Sequence, residues 1–446
     1  MKLFLRPLFL SALCAITLHA EYAPMPPAAP PYYRVRYEPS TAPDGLIFGV
    51  SYTIWIPPGV KTLRGVIVHQ HGCGEGSCKS GLTAAFDLQW QALAKKHECA
   101  LLGPAYEQPE KAVCSMWCDP RNGSEQAFLK ALSDLGAQSH HPELATVPWA
   151  LWGHSGGANW VGNMLALHPD RIAAAWLRSG TPRIAPRDGS PATPVEIPDT
   201  ACGVPTMCNL GTREGVTEKD PRFGGLWPNV QKFFTDFRAK GGLVGVAADP
   251  NSSHDCGNSR YLAIPWFDAC LTARLPDRAG EAKLKPMAIE GSWLAPVLSG
   301  DVQPNAKFTG DAKTTVWLPN ERVAKAYAEY IKDGNVSDTT PPPAPKDVKL
   351  AGNELTWNAE ADLESGIASF VIERDGKEIA RLPDQPPARL IGRAIFQKNG
   401  YSDSPTPPLA EMRFTDTSAA AGEKHIYSVI AVNSTGLSST PAKTSP

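Results

Sequence analysis

Trp149-Ala150-Leu151-Trp152-Gly153-His154-Ser155-Gly156-Gly157-Ala158 is the stretch on which the fold turns. Its first four residues form an apolar run of strand length, and the segment from Ala158 to His168 reads as a helix. The reversal between them is too sharp for bulky side chains two residues before and two after Ser155, and Gly153 and Gly157 stand at those positions. Ser155 is thereby pushed clear of the backbone. It sits at a helix start, where the Gly156 amide and the positive end of the helix dipole lie beside its hydroxyl.

Outward from this junction, apolar runs of strand length occur at 47–56, 65–68, 100–103, 148–152, 173–177, 204–210 and 243–247. Helical spacing fills the gaps. Leu82, Phe86, Trp90 and Leu93 keep one face, as do Phe128, Ala131, Leu132 and Leu135. Strands alternating with helices predict an α/β domain over residues 46–332, a mainly parallel sheet with helices on both faces. A polar, proline-containing excursion over 276–319 reads as a cover on part of that domain, and a last helix is expected over 321–331.

A serine hydroxyl is a weak nucleophile and needs a histidine to take its proton and an acid to orient that histidine. In a fold built on this turn the partners follow in the order acid, then histidine. Three histidines follow Ser155. His168 ends the elbow helix and His425 lies beyond the α/β domain, which leaves His254, in a turn-forming loop after the last parallel strand. Glu214 follows the preceding strand and is the candidate acid, with Glu218 and Asp220 as competitors and Asp249 and Asp255 as weaker ones.

The second oxyanion donor is expected in the loop His69-Gln70-His71-Gly72-Cys73-Gly74, where flanking glycines let the backbone N–H of Cys73 approach a carbonyl. A zinc site at His69 and His71 is the rival reading. It is disfavoured because no thiol pair has C-x-x-C spacing, so neither metal nor cofactor is expected. Trp117, between Cys114 and Cys118, reads as a buried ring or else as an exposed one held rigid by a stapled loop.

The segments Val68 to Cys73, Gly153 to Gly157, Gly211 to Glu214, and His254 resemble the extracellular α/β-hydrolases grouped with polyhydroxybutyrate depolymerases and feruloyl or acetylxylan esterases. The resemblance covers roughly residues 47–275. It implies an α/β-hydrolase fold, a triad of Ser155, Glu214 and His254, an oxyanion hole of the Cys73 and Gly156 amides, and an ester substrate. Two positions depart from that pattern. The usual acid is Asp where Glu214 stands, and Cys73-Gly74-Glu75-Gly76-Ser77-Cys78 replaces a more polar continuation, which leaves the particular ester open. A serine peptidase or amidase would use the same residues, and a non-catalytic surface-binding protein is the rival from another class.

Residues 333–345 combine glycine, polar residues and a proline run, a linker composition. Beyond them, short alternating segments at 346–350, 354–357, 368–373, 377–380 and 427–432 predict a small all-β sandwich over 346–446. Leu355-Thr356-Trp357, Val371-Ile372-Glu373-Arg374 and the run Tyr427 to Asn433 resemble a fibronectin type III module, from which residues 384–409 depart as a long insertion. Such a module is expected as a spacer, with contact to a polysaccharide or surface as the alternative.

The 446 residues are long enough for two domains, and a net charge of −2 without a basic stripe argues against nucleic acid or an anionic membrane as partner. Lys2 and Arg6 before an apolar run ending Leu18-His19-Ala20 read as a secretory signal peptide over residues 1–20, too short to span a bilayer. Secretion to the extracellular space or periplasm follows. The proline-rich residues 21–45 are expected to run extended over the surface. Nine cysteines between 73 and 270 read, in an exported chain, as disulfides with one thiol left over.

Overall fold

The computed structural model describes residues 25–114, 116–184, 193–250, 252–387, 393–420 and 423–444. The expected signal peptide, Cys14 included, lies outside the described residues. Eight strands form one sheet: β1 (Tyr32–Tyr37), β2 (Val50–Trp55), β3 (Gly65–Gln70), β4 (Cys99–Tyr106), β5 (Trp149–His154), β6 (Ile172–Arg178), β7 (Thr206–Gly211) and β8 (Val244–Asp249). Their order is β1-β2-β4-β3-β5-β6-β7-β8, and only β2 runs against its neighbours. This is the α/β-hydrolase arrangement.

Every residue of β2 through β8 is buried, as strands covered on both faces require. The cover comes from helices α1 (Glu75–Cys78), α2 (Leu88–Lys96), α3 (Glu125–Ser139), α4 (Gly156–Leu167), α5 (Leu226–Ala239), α6 (Ser259–Arg274) and α7 (Glu321–Asp333). Phe128, Ala131, Leu132 and Leu135 are all buried on α3, as their spacing predicts. Of the four positions assigned one face, Leu82, Trp90 and Leu93 are buried and Phe86 is half-buried. A 3₁₀ turn over Ala84–Phe86 breaks the periodicity before α2 begins.

Three expectations need correction. Residues 32–37 are not a free surface run: they pair antiparallel with β2 and form the sheet edge, a position that tolerates nearby prolines. The excursion over 276–319 carries its own small sheet of β9 (Trp293–Ala295), β10 (Gln303–Pro304) and β11 (Val316–Leu318), strands too short to announce themselves by alternation. Among the described residues the cysteines do not form a disulfide framework. Cys73 pairs with Cys114, while Cys78, Cys99, Cys118, Cys202, Cys208, Cys256 and Cys270 are thiols. Six of those seven are buried and serve as small apolar side chains within the interior.

The C-terminal part is a sandwich of a three-stranded sheet, β12 (Lys346–Ala351), β13 (Glu354–Asn358) and β16 (Arg413–Thr415), and a four-stranded one, β14 (Ser369–Arg374), β15 (Lys377–Leu382), β17 (Tyr427–Val432) and β18 (Ala442–Lys443). It has its own core around Leu355, Trp357, Phe370, Ile372 and Val429. It is not suspended on its linker as a spacer would be, because α2 packs Leu88 and Ala92 against that core and Lys95 pairs with Glu360.

Candidate active site

Each predicted site residue leaves the carboxyl end of a strand. Cys73 follows β3, Ser155 follows β5, Glu214 follows β7 and His254 follows β8. Ser155 has φ 53 and ψ −116, a conformation that a sharp strand-to-helix reversal imposes. The neighbours of the turn must be glycine. A side chain on Gly153 would begin 2.4 Å from the carbonyl oxygen of Gly157, and one on Gly157 would begin 2.3 Å from that of His71. The turn is pinned from the next strand by Ser155 N–H, which donates to the carbonyl of Arg178 at 2.7 Å.

Ser155 Oγ lies 2.8 Å from His254 Nε2, and His254 Nδ1 lies 2.5 Å from Glu214 Oε1. Glu214 is wholly buried. Its second oxygen accepts from the Gly211 amide and from Ser179 Oγ, each at 2.7 Å. Three donors on one buried carboxyl group fix its orientation. The competitors stand elsewhere. Glu218 is exposed beside Arg213, and Asp220 accepts from the amides of Arg222 and Phe223 and from Ser253 Oγ. Asp249 is buried beneath the site, where it accepts from the Asn258 amide and burial raises its carboxyl to about 6. Asp255 accepts from the Ser253 and Gly257 amides within the histidine loop.

The backbones that carry the two expected oxyanion amides are neighbours. The backbone nitrogen of Cys73 lies 3.1 Å from the point where a side chain on Gly156 would begin, which places the two backbone segments side by side next to Ser155. The Cys73–Cys114 disulfide forms part of the wall of a cleft of about 470 Å³ that also takes in Ser155, His254, Phe223 and Leu226.

Several residues that hold this geometry carried no sequence signal. Phe223 lies flat on the His254 ring, 3.6 Å between centroids and 2° between planes. Arg178, fully buried at the end of β6, donates to the carbonyls of Ser253 and Asp255 and to Ser252 Oγ, so a single guanidinium shapes the loop that presents His254. His154 Nε2 lies 2.7 Å from the carbonyl oxygen of His254. The histidines of the rival zinc reading are engaged in packing and backbone contacts. His69 stacks on Trp152 at 4.1 Å, and His71 accepts from the Tyr106 amide at Nε2 while its Nδ1 meets the Gly72 carbonyl. Burial holds both imidazoles down at about 4. Trp117 is buried, stacked on Tyr106 at 4.3 Å, with its N–H donated to Gln108.

No family model and no curated protein matches the chain. Solved structures similar to it include a poly(3-hydroxybutyrate) depolymerase, LpqC, from Bordetella parapertussis (14% identity, 55% of this chain and 91% of that one, TM-score 0.37). An acetyl xylan esterase from Aspergillus awamori aligns at 14% identity over 39% of this chain and 70% of its own, with TM-score 0.28. A Fn3-like protein from Clostridium thermocellum aligns at 24% identity over 24% of this chain and 91% of its own, with TM-score 0.15. No helix among the described residues is long and apolar enough to cross a membrane.

Proposed function

We propose that the chain is a secreted serine carboxylic-ester hydrolase working through an acyl-enzyme. The observation that carries this reading is the unbroken contact chain from Ser155 Oγ through His254 to the buried carboxylate of Glu214. Ser155 attacks the ester carbonyl while His254 Nε2 takes its proton, and the oxygen that becomes negative is met by the Cys73 and Gly156 amides. His254 then returns the proton to the departing alcohol, and water, activated by the same imidazole, frees the acyl group. Glu214 holds the imidazolium through both steps. The reading of an ester belonging to an extracellular polymer is supported by the leader expected over residues 1–20 and by the motif resemblance of the α/β domain.

Hydrolysis of p-nitrophenyl acetate by the purified chain and by Ser155→Ala tests the assignment. Turnover should disappear and fluorophosphonate labelling with it, while the melting curve stays in place. Unchanged turnover in the variant would overturn it. A peptide anilide assayed alongside separates an esterase from an amidase.

A further inference from the structure

The insertion that departs from the fibronectin pattern contains a tight turn over residues 400–404, closed by the Gly400 amide on the Ser404 carbonyl at 2.8 Å. Ser402, Asp403 and Ser404 are buried, at 0%, 0% and 1% exposure, although they belong to a module whose own core lies elsewhere. What buries them is the hydrolase domain. Asp403 meets Arg260 Nε at 3.0 Å, Arg260 reaches Asp87 at 2.7 Å, and all three charges are buried. Ser404 Oγ donates to the Ser80 carbonyl, and Thr83 Oγ1 donates to that of Pro405.

Ser402 stands between two halves of the catalytic apparatus. Its Oγ accepts from the Gly72 amide at 3.1 Å, the peptide directly before the proposed oxyanion donor Cys73. The same oxygen lies 3.2 Å from His154 Nδ1, and the other nitrogen of that ring lies 2.7 Å from the carbonyl of His254. A carbonyl can only accept, so His154 carries its proton on Nε2 and donates there, which leaves Nδ1 as an acceptor. Ser402 then donates to it, with the Ser77 hydroxyl 3.3 Å away acting as a donor to Ser402. Burial holds the His154 imidazole well below its ordinary range, so the ring stays neutral and this direction is fixed. The result is one directed chain, from Gly72 N–H to Ser402 Oγ–H to His154 to the His254 carbonyl, joining the oxyanion loop to the histidine loop.

We infer that Ser402 is a positioning residue for hydrolysis, supplied to the active site by the C-terminal module and acting through His154 on His254 and through Gly72 on the oxyanion loop. The inference rests on the triad proposed above. It makes the module a structural part of the catalytic centre, set there by the buried Asp403–Arg260–Asp87 bridge.

The test uses the full chain with Ser402→Ala, His154→Gln, the double variant, and Ser155→Ala as reference. For p-nitrophenyl acetate the expected result is a fall in kcat of about tenfold or more for each single variant, with KM within about twofold and a cooperative melting transition kept by Ser402→Ala. The double variant should lose no more than the worse single one, because both break the same chain. Wild-type kcat in Ser402→Ala would overturn the inference, and so would a double variant whose loss is the product of the two. If Ser402→Ala is unaffected while Ser155→Ala is dead, the triad stands and the positioning role falls. Turnover by Ser155→Ala would remove the triad itself.

Discussion

Replacing Glu214 by glutamine isolates what the buried carboxylate does, because size is kept while charge and one acceptor are lost. Three donors converge on that carboxylate: His254 Nδ1 at 2.5 Å, the Gly211 amide at 2.7 Å and Ser179 Oγ at 2.7 Å. The Gly211 donor belongs to the backbone and cannot reverse, so the glutamine oxygen has to stand at the Oε2 position. Its NH₂ then faces His254. An amide nitrogen only donates, which forces His254 to offer the Nδ1 lone pair and carry its proton on Nε2. In that tautomer the nitrogen 2.8 Å from Ser155 Oγ cannot take a proton. A wrong-tautomer change of this kind in a serine triad costs about ten-thousandfold in kcat, or about 5.4 kcal/mol at 1.36 kcal/mol per tenfold. The measurement is kcat for p-nitrophenyl acetate with the melting temperature as control for folding. A folded Glu214→Gln protein that keeps more than a tenth of wild-type kcat would refute the tautomer argument and return the acid's role to another residue.

Two further outcomes follow from buried charge. Arg178→Gln withdraws the guanidinium from the Ser253 and Asp255 carbonyls and removes a buried cation that interacts with Asp249, so about 3–5 kcal/mol of stability should go together with most of the activity; an unchanged urea midpoint would contradict this. His69 and His71 have folded pKa values of about 4 against 6.5, so between those pH values the unfolded chain binds more protons and stability falls as pH falls, on the order of 3 kcal/mol for each ring. Asp249, raised to about 6, binds extra protons in the folded state below that pH and offsets part of the loss. The net expectation is lower stability at pH 5 than at pH 7, and a urea midpoint that rises on acidification would reverse the assignment.

What could be read from the sequence depended on how local its cause was. The elbow was legible because its glycines flank one short turn: Gly153 faces the Gly157 carbonyl four residues on, although Gly157 faces the His71 carbonyl of a distant strand end. Glu214 and His254 followed from chain order, since strand ends at one edge of a parallel sheet must meet. The cysteines were not legible. Pairing depends on Cα separations that spacing does not encode, and among the described residues only Cys73 and Cys114, 5.3 Å apart, are bridged. Arg178 resembles any polar residue at a strand end until the carbonyls it satisfies are seen. Ser402 and Asp403 read as an ordinary turn inside an insertion, because their partners Gly72 and Arg260 lie 330 and 143 residues away.

The backbone of Ser155 has a consequence of its own. A side-chain-bearing residue at φ 53 and ψ −116 sits in a region that costs about 1–3 kcal/mol, and it persists only because β5, α4 and the Arg178 carbonyl overdetermine it. Glycine would occupy that spot without strain. The fold by itself prefers glycine there, so selection for thermal robustness alone would drive this position towards glycine and remove the hydroxyl that the proposed acyl-enzyme step uses.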